Sequence, residues 1–278
     1  MKNALTIDVE EWYHLCSSDP LPEPERRERR VIKNIEVLLS LLNEFGVSAT
    51  FFILGSLAHS EPALVPLIAG AGHEIASHGW SHRLVTTLTP EEFREELRCT
   101  ADLLERQSGR RPIGYRAPQW SLGKSIPWAF TILAEEGYRY DSSLNPLPFV
   151  GDRSGLRIPH EIAGDLLEFP PLVTPFPGLN LPTGGGWGFR FFPGSFVTGS
   201  IGKLNDRGYP AILYLHPREM ESDGPRVKLS PLREFVVYGP RRCATERLRL
   251  ILSRYQFTTL EHLTDLWATA SLSRHTMP

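Results

Sequence analysis

Residues 4–12 read ALTIDVEEW, a short apolar strand pattern that runs out on Asp8, Glu10 and Glu11. Three other segments have the same shape. GHEIASHGWSHR (72–83) passes through Ile75 and Ala76 to His78 and His82. GYRAPQW (114–120) closes on Arg116, and ILYLHPRE (212–219) closes on His216. Each is an apolar run ending on a charged or imidazole side chain. In parallel α/β folds the chemistry sits at the carboxyl ends of strands.

Working outward, strand patterns cover Ala4 to Asp8, Ser48 to Leu54, Glu74 to Ser77, Ile113 to Arg116, Tyr138 to Tyr140, Leu166 to Phe169, Ala211 to His216 and Gln256 to Thr259. Helical patterns alternate with them. Val31, Ile35, Leu38, Leu39 and Leu42 recur at helical spacing, and Gly46 stands as the stop. Thr89-Pro90-Glu91-Glu92 predicts a capping box with proline at the first helical position. Phe93, Leu97, Ala101 and Leu104 follow as a buried stripe that ends at Gly109, and Glu246 to Leu252 predicts another helix. Strand–helix alternation means a parallel sheet, open or closed into a barrel. Residues 145–196 break it: they are rich in Pro and Gly and read as a loop-rich insertion. Its GGGWGFRFFP run (184–193) reads either as a surface excursion or as aromatics, Trp187 among them, placed on a flexible backbone to stack on a sugar ring. Residues 225–278 form a C-terminal extension, and no linker or repeat divides the 278 residues, so a single domain is expected.

The composition, 41% hydrophobic and 22% charged, is that of a globular chain, and a net charge of −2 argues against a nucleic-acid surface. Cys16, Cys99 and Cys243 are odd in number and form no CxxC pair. A cysteine-ligated metal and a disulfide framework are therefore not expected, and a reducing compartment is. The first residues enter a strand pattern with no charged and apolar leader ahead of it, which predicts a cytoplasmic protein. No apolar run approaches the ~20 residues of a membrane span.

The polar set can be assigned roles from chemistry alone. His78 and His82, four apart, can reach one ion, and zinc-type sites need that proximity plus a third ligand and an open position. Asp8 and Glu10 flank Val9, so in a continuing strand both carboxylates face one cavity and call for a cation. Glu10 is assigned to the metal and Asp8 to proton abstraction from water. Arg116, at a strand end, can hold Asp8 ionised. His216 can protonate a leaving amine. Asp141 reads equally as the carboxylate that fixes the His216 tautomer or as a turn cap. The remaining histidines read as structural, with His14, just beyond the first strand, the one to watch.

Taken together, T-I-D-V-E, S-H-G-W-S-H, R-A-P-Q-W, Y-D-S-S and Y-L-H-P resemble the polysaccharide deacetylases of carbohydrate esterase family 4, the NodB-homology group. The resemblance runs from the N-terminus to His216, and the remainder resembles the tail of the subgroup found in exopolysaccharide clusters. It implies an α/β fold, a distorted (β/α) barrel with seven or so parallel strands. It implies a divalent metal, zinc first with cobalt or nickel as alternatives, and removal of N-acetyl groups from hexosamine polymers. By the resemblance Asp8 is the base, His78 and His82 are metal ligands and Arg116 orients the base. The Gln119 backbone amide holds the oxyanion, Asp141 tunes the acid, and His216 is that acid. Most members carry adjacent carboxylates; here Val9 intervenes and Glu10 takes the ligand position, as in D-V-D branches that include allantoinase-like members.

The expected function is a metal-dependent N-deacetylase acting on an N-acetylated glycan, with Trp120 and Trp187 lining the substrate groove. No nucleic-acid partner or membrane span is expected, and the oligomeric state is left open. A cyclic-imide or allantoinase-like amidohydrolase on the same scaffold is the alternative. A carbohydrate-binding relic without turnover is the third.

Overall fold

The computed structural model describes residues 1–14, 28–148, 150–152, 154–222, 224–239 and 244–275; Cys16 and Cys243 lie outside them, and Cys99 is exposed and unpaired. The strands are β1 (Lys2–Val9), β2 (Thr50–Ile53), β3 (Glu74–Ser77), β4 (Gly114–Tyr115), β5 (Tyr140–Asp141), β6 (His160–Ala163), β7 (Leu166–Glu168), β8 (Thr174–Phe176), β9 (Leu179–Leu181), β10 (Ile212–Leu215) and β11 (Gln256–Thr258). The helices are α1 (Val31–Glu44), α2 (Gly55–Ser60), α3 (Leu64–Gly70), α4 (Pro90–Ser108), α5 (Trp128–Glu135), α6 (Gly186–Phe191), α7 (Gly194–Asn205), α8 (Pro231–Tyr238), α9 (Ala244–Leu252) and α10 (Leu260–His275). All eight strand patterns form strands, with ends shifted by one or two residues. No described helix is long and apolar enough to cross a membrane.

The main sheet runs β10-β1-β2-β3-β4-β5-β7-β6, with β11 on the start of β1. The strands from β10 to β7 are mutually parallel, seven among the described residues, and only β6 is antiparallel. This is the expected curled α/β barrel. β1 is its centre, bonded to β10, β2 and β11 and buried at every residue after Lys2. Its alternation decides what lies where. Leu5, Ile7 and Val9 pack with Phe51, Ile53 and the α1 residues Ile35, Leu38 and Leu42 outside the sheet. Ala4 points inward with Phe52, Ala76, Tyr140, Phe169 and Ile212, over α10 residues Leu260 and Leu263. Each such apolar side chain stabilises by roughly 2 kcal/mol. Asp8 and Thr6 share the inward face by the same period of two.

Helix α4 forms as its sequence dictates. Thr89 accepts from the Glu92 amide, Glu92 answers on the Thr89 amide, and Gly109 ends the helix at φ 79°.

The stretch 145–196, read as loop-rich around the strand pattern Leu166 to Phe169, holds β6, β7, β8, β9, α6 and the start of α7 among its described residues. It also closes the barrel: Leu172 N–H donates to Ile212 O at 2.8 Å, and Tyr214 N–H to Gly184 O at 2.8 Å. The three glycines serve close approach rather than flexibility. A Cβ on Gly184 would stand 2.6 Å from Leu172 O, and one on Gly185 2.3 Å from Tyr214 O.

The barrel floor holds a buried polar knot. Glu74 accepts from Thr50 Oγ1 at 2.6 Å, from Tyr140 OH at 2.6 Å and from the Glu261 amide at 3.0 Å, and so caps the first turn of α10. Burial pushes its carboxyl up to about 7. Replacing Glu74 by Leu strands three donors and should lower unfolding free energy by about 3 kcal/mol, read from the urea midpoint. The folded state keeps this proton above pH 4.5 while the unfolded state releases it, so stability falls as pH rises toward 7. The difference between wild type and Glu74→Gln should show that fall; a difference flat from pH 4.5 to 7 would overturn it.

Candidate metal centre and catalytic pocket

The ends of β1 and β3 meet at Glu10. Its Oε1 lies 3.1 Å from His78 Nε2 and 2.9 Å from His82 Nε2, and the three ligand atoms fall within 4.8 Å of one another, all buried. His78 Nδ1 stands 2.8 Å from Arg116 O. A carbonyl only accepts, so Nδ1 carries a hydrogen, and Nε2 is the nitrogen that would turn its lone pair to an ion in the cluster. That is how metal-ligating histidines are usually held. His82 reaches the cluster from an irregular turn, at φ 58°, with Gly79 at φ 75° before it. The two histidines thus converge without a helix. Burial raises the Glu10 carboxyl, but His82 and His216 by charge and His78 and His82 by hydrogen bonds hold it well below its ordinary value. His78 is raised in turn, the Glu10 bond and the Asp8 charge outweighing burial. Two imidazole nitrogens and one carboxylate oxygen in a buried pocket fit a divalent cation with a coordination position left over.

Asp8 lies on the inward face of β1. Its Oδ1 accepts from Arg116 Nη1 at 2.7 Å. Arg116 is itself buried and bonds Thr6 Oγ1 (2.7 Å), Ser142 O (2.9 Å) and Ser142 Oγ (2.7 Å). Its guanidinium carbon sits 4.2 Å from the Phe52 ring centre and 5.0 Å from that of Trp120. On the other side His216, at the end of β10, places Nε2 4.0 Å from Asp8 Oδ2 and 3.9 Å from Glu10 Oε2. Asp8, Glu10, His78, His82 and His216 therefore converge on one pocket.

Asp141 takes the turn-cap reading of the two open to it rather than a place beside His216. The carboxylate beside His216 is Glu219, whose Oε2 accepts from the His216 amide at 2.9 Å and stands 3.6 Å from Nδ1. Glu219 Oε1 is bound by Arg190 Nε at 2.8 Å, with both side chains 2% exposed. Burial opposes ionisation of Glu219, yet the Arg190 charge and the His216 bond bring it down to about 2. Asp141 instead accepts from Ser143 Oγ at 2.5 Å, and Ser143 Oγ takes the Ala117 amide at 2.8 Å. Burial pushes Asp141 up to about 6, and Glu168, buried beside it and repelled by its charge, is raised well above its ordinary value. Asp141 Oδ2 and Glu168 Oε2 find no other donor, which one shared proton satisfies. Asp141 thereby anchors the R-A-P turn that follows the neighbouring strand β4.

Gln119 and Trp120 sit in that turn at φ 50° and 56°. Gln119 Nε2 is buried without a partner. Trp120 packs edge-on to Tyr214 at 4.9 Å and lines a cavity of about 680 Å³ with Leu122, Phe130, Leu144 and Asn145. Trp187 does not join it: its ring packs on Phe191, Phe192 and Phe235 of α8. Sequence reasoning missed Glu219, whose signal was capping-box spacing after His216, and Arg218, whose Nη1 lies 3.3 Å from Glu10 Oε2. His14 stacks on His82 at 5.8 Å, and burial lowers it to about 4, so it packs there as a neutral ring.

Comparison with known proteins agrees. Residues 32–140 match the polysaccharide deacetylase family, and residues 142–265 match a domain of unknown function, DUF3473. A peptidoglycan deacetylase of Helicobacter pylori is 30% identical over 107 residues, 38% of this chain and 36% of that protein. The peptidoglycan-N-acetylmuramic acid deacetylase PdaC of Bacillus subtilis is 36% identical over 89 residues, 32% of this chain and 19% of that protein. The chain thus spans about a third or less of the length of these curated relatives. A solved Mycobacterium smegmatis structure, assigned to the polysaccharide deacetylases, superposes with TM-score 0.65 at 25% identity, covering 97% of this chain and 91% of that one. An allantoinase shares the fold at TM-score 0.62 and 18% identity, over 96% of this chain and 90% of its own. The fold, the histidine–carboxylate cluster and the matched sequence agree: residues 32–140 carry a polysaccharide deacetylase domain of the NodB, carbohydrate esterase family 4, group.

Proposed function

We propose that this protein is a metal-dependent N-deacetylase acting on an N-acetylated amino-sugar glycan. The observation that carries the reading is the convergence of both histidine Nε2 atoms on Glu10 Oε1, with Asp8 and His216 facing each other at 4.0 Å beside it. Glu10, His78 and His82 would hold a divalent cation, zinc by their N,N,O donor set, which supplies Lewis acidity to the attacking water and the amide carbonyl. Asp8 accepts the proton of that water on Oδ2, because Oδ1 is committed to Arg116. His216 Nε2 then donates a proton to the departing nitrogen. Water and the acetamide become acetate and the free amine of the sugar. Glu219, fixed by Arg190, orients the His216 ring. The cavity beside Trp120 has room for a sugar residue next to the scissile amide, which favours a glycan over a small cyclic imide.

Three outcomes test this. Purified protein should release acetate from N-acetylglucosamine oligomers, lose that activity on chelation and regain it with zinc or cobalt, and His78→Ala should abolish it. Acetate from no glycan, together with opening of a hydantoin ring, would replace the proposal with the amidohydrolase alternative. Asp8→Asn should fold and bind metal while kcat/KM falls by roughly 10³-fold. Glu219→Gln should lower kcat by about 10- to 100-fold with KM little changed, whereas Asp141→Asn stays near wild type. The reverse ranking would return the acid's support to Asp141.

A further inference from the structure

Helix α8 carries its apolar side chains outward. Leu232 is 75% exposed, Phe235 42% and Val236 36%, at the i, i+3, i+4 spacing of one stripe, while Tyr238 is the buried residue of the helix. The stripe continues onto α6. Phe191, 52% exposed, lies 5.7 Å from the Phe235 ring, and Trp187 lies 6.3 Å from it. Such an apolar face left exposed outside the core marks an interaction surface.

Charge and size say what covers it. Residues 224–239 carry Arg226, Lys228 and Arg233 against Glu234 alone, a local excess of positive charge in a chain of net charge −2. Arg226 and Lys228 are exposed, and Arg226 stands over the Tyr238 ring at 5.4 Å. Exposed aromatic and leucine side chains on a segment that also carries two exposed cations form the pattern of a helix that lies in the headgroup region of an anionic bilayer. A second copy of the chain fits less well. A helix of this length is about 12 Å long, and a stable dimer needs about 800 Å² from each partner.

We propose that the α8–α6 face docks on anionic lipid, with Leu232, Phe235 and Phe191 entering the headgroup layer and Arg226 and Lys228 meeting its phosphates. The docking goes beyond the deacetylase reading and does not depend on it. One consequence does rest on that reading: α6 also carries Arg190, which fixes Glu219 behind His216, so a glycan borne on a lipid would arrive beside the catalytic pocket.

The test is co-sedimentation of the full chain with vesicles of phosphatidylcholine alone and of phosphatidylcholine with phosphatidylglycerol, at low and high salt. Binding should require phosphatidylglycerol and weaken with salt. Lys228→Glu should reduce it about fivefold or more, and Leu232→Glu about tenfold or more. Both positions are exposed, so both variants should keep wild-type melting and wild-type activity on a soluble substrate. Three results would overturn the proposal: no binding to phosphatidylglycerol vesicles, binding that Leu232→Glu leaves intact, or a concentration-dependent dimer in sedimentation that Leu232→Glu dissolves. Vesicle binding needs no turnover, so failure here and failure of the deacetylase reading are separately visible.

Discussion

A single buried guanidinium organises the catalytic pocket. Arg116 leaves β4 and bonds Thr6 and Asp8 on β1 and Ser142 just past β5, while its own carbonyl takes the His78 Nδ1 hydrogen. One residue therefore orients the base and sets which nitrogen of a metal ligand is free. A buried cation persists only where its partners are well placed, and removing one member of such a pair costs about 3–5 kcal/mol because the other is left uncompensated. The Phe52 and Trp120 faces on Arg116 exclude water from its flanks and strengthen those bonds. Stability and chemistry are inseparable at this point of the barrel.

The same logic extends to the other charges. Asp8 has Arg116, Glu219 has Arg190, and Glu10 has Arg218 on Oε2. Each of these three buried carboxylates meets a guanidinium, which offsets the cost of ionisation in a dry site. Glu10 differs in that its Oε1 faces only imidazole nitrogens, so that oxygen remains as a ligand. Glu74, in the floor of the barrel, takes its hydrogen bonds from Thr50, Tyr140 and the Glu261 amide, none of them cationic, and its carboxyl is pushed up rather than down. Glu10 and Glu219 are held down and Glu74 is pushed up within one barrel interior.

The strand ends of β1, β3, β4 and β10 were legible in the sequence because each couples a local apolar run to a polar terminus, and both signals are short-range. The i, i+2 placement of Asp8 and Glu10 followed from strand geometry alone. Asp141 kept two readings for a different reason: its role depends on sheet order, which sets β5 beside β4, and nothing local encodes that order. Gly184 and Gly185 were misread because composition reports conformational freedom, whereas here the missing Cβ serves close contact with Leu172 and Tyr214. Trp187 followed them, carried into packing on α8 rather than toward the metal ligands.

The two matched families meet at Asp141, in the middle of the sheet, and the site straddles that boundary. The stretch matched to the deacetylases supplies His78, His82 and Arg116, and β1 before it supplies Asp8 and Glu10. The stretch matched to DUF3473 supplies Ser142 and Ser143, which hold Arg116 and Ala117, and His216, Glu219 and Arg190, which form the acid and its support. It also supplies Leu172 and Gly184, whose backbone bonds close the sheet onto β10. The first region with β1 would hold the histidine–carboxylate cluster and the arginine without His216 and with β1 left as an open edge. The second region therefore supplies half of the candidate site and the wall that shuts the barrel.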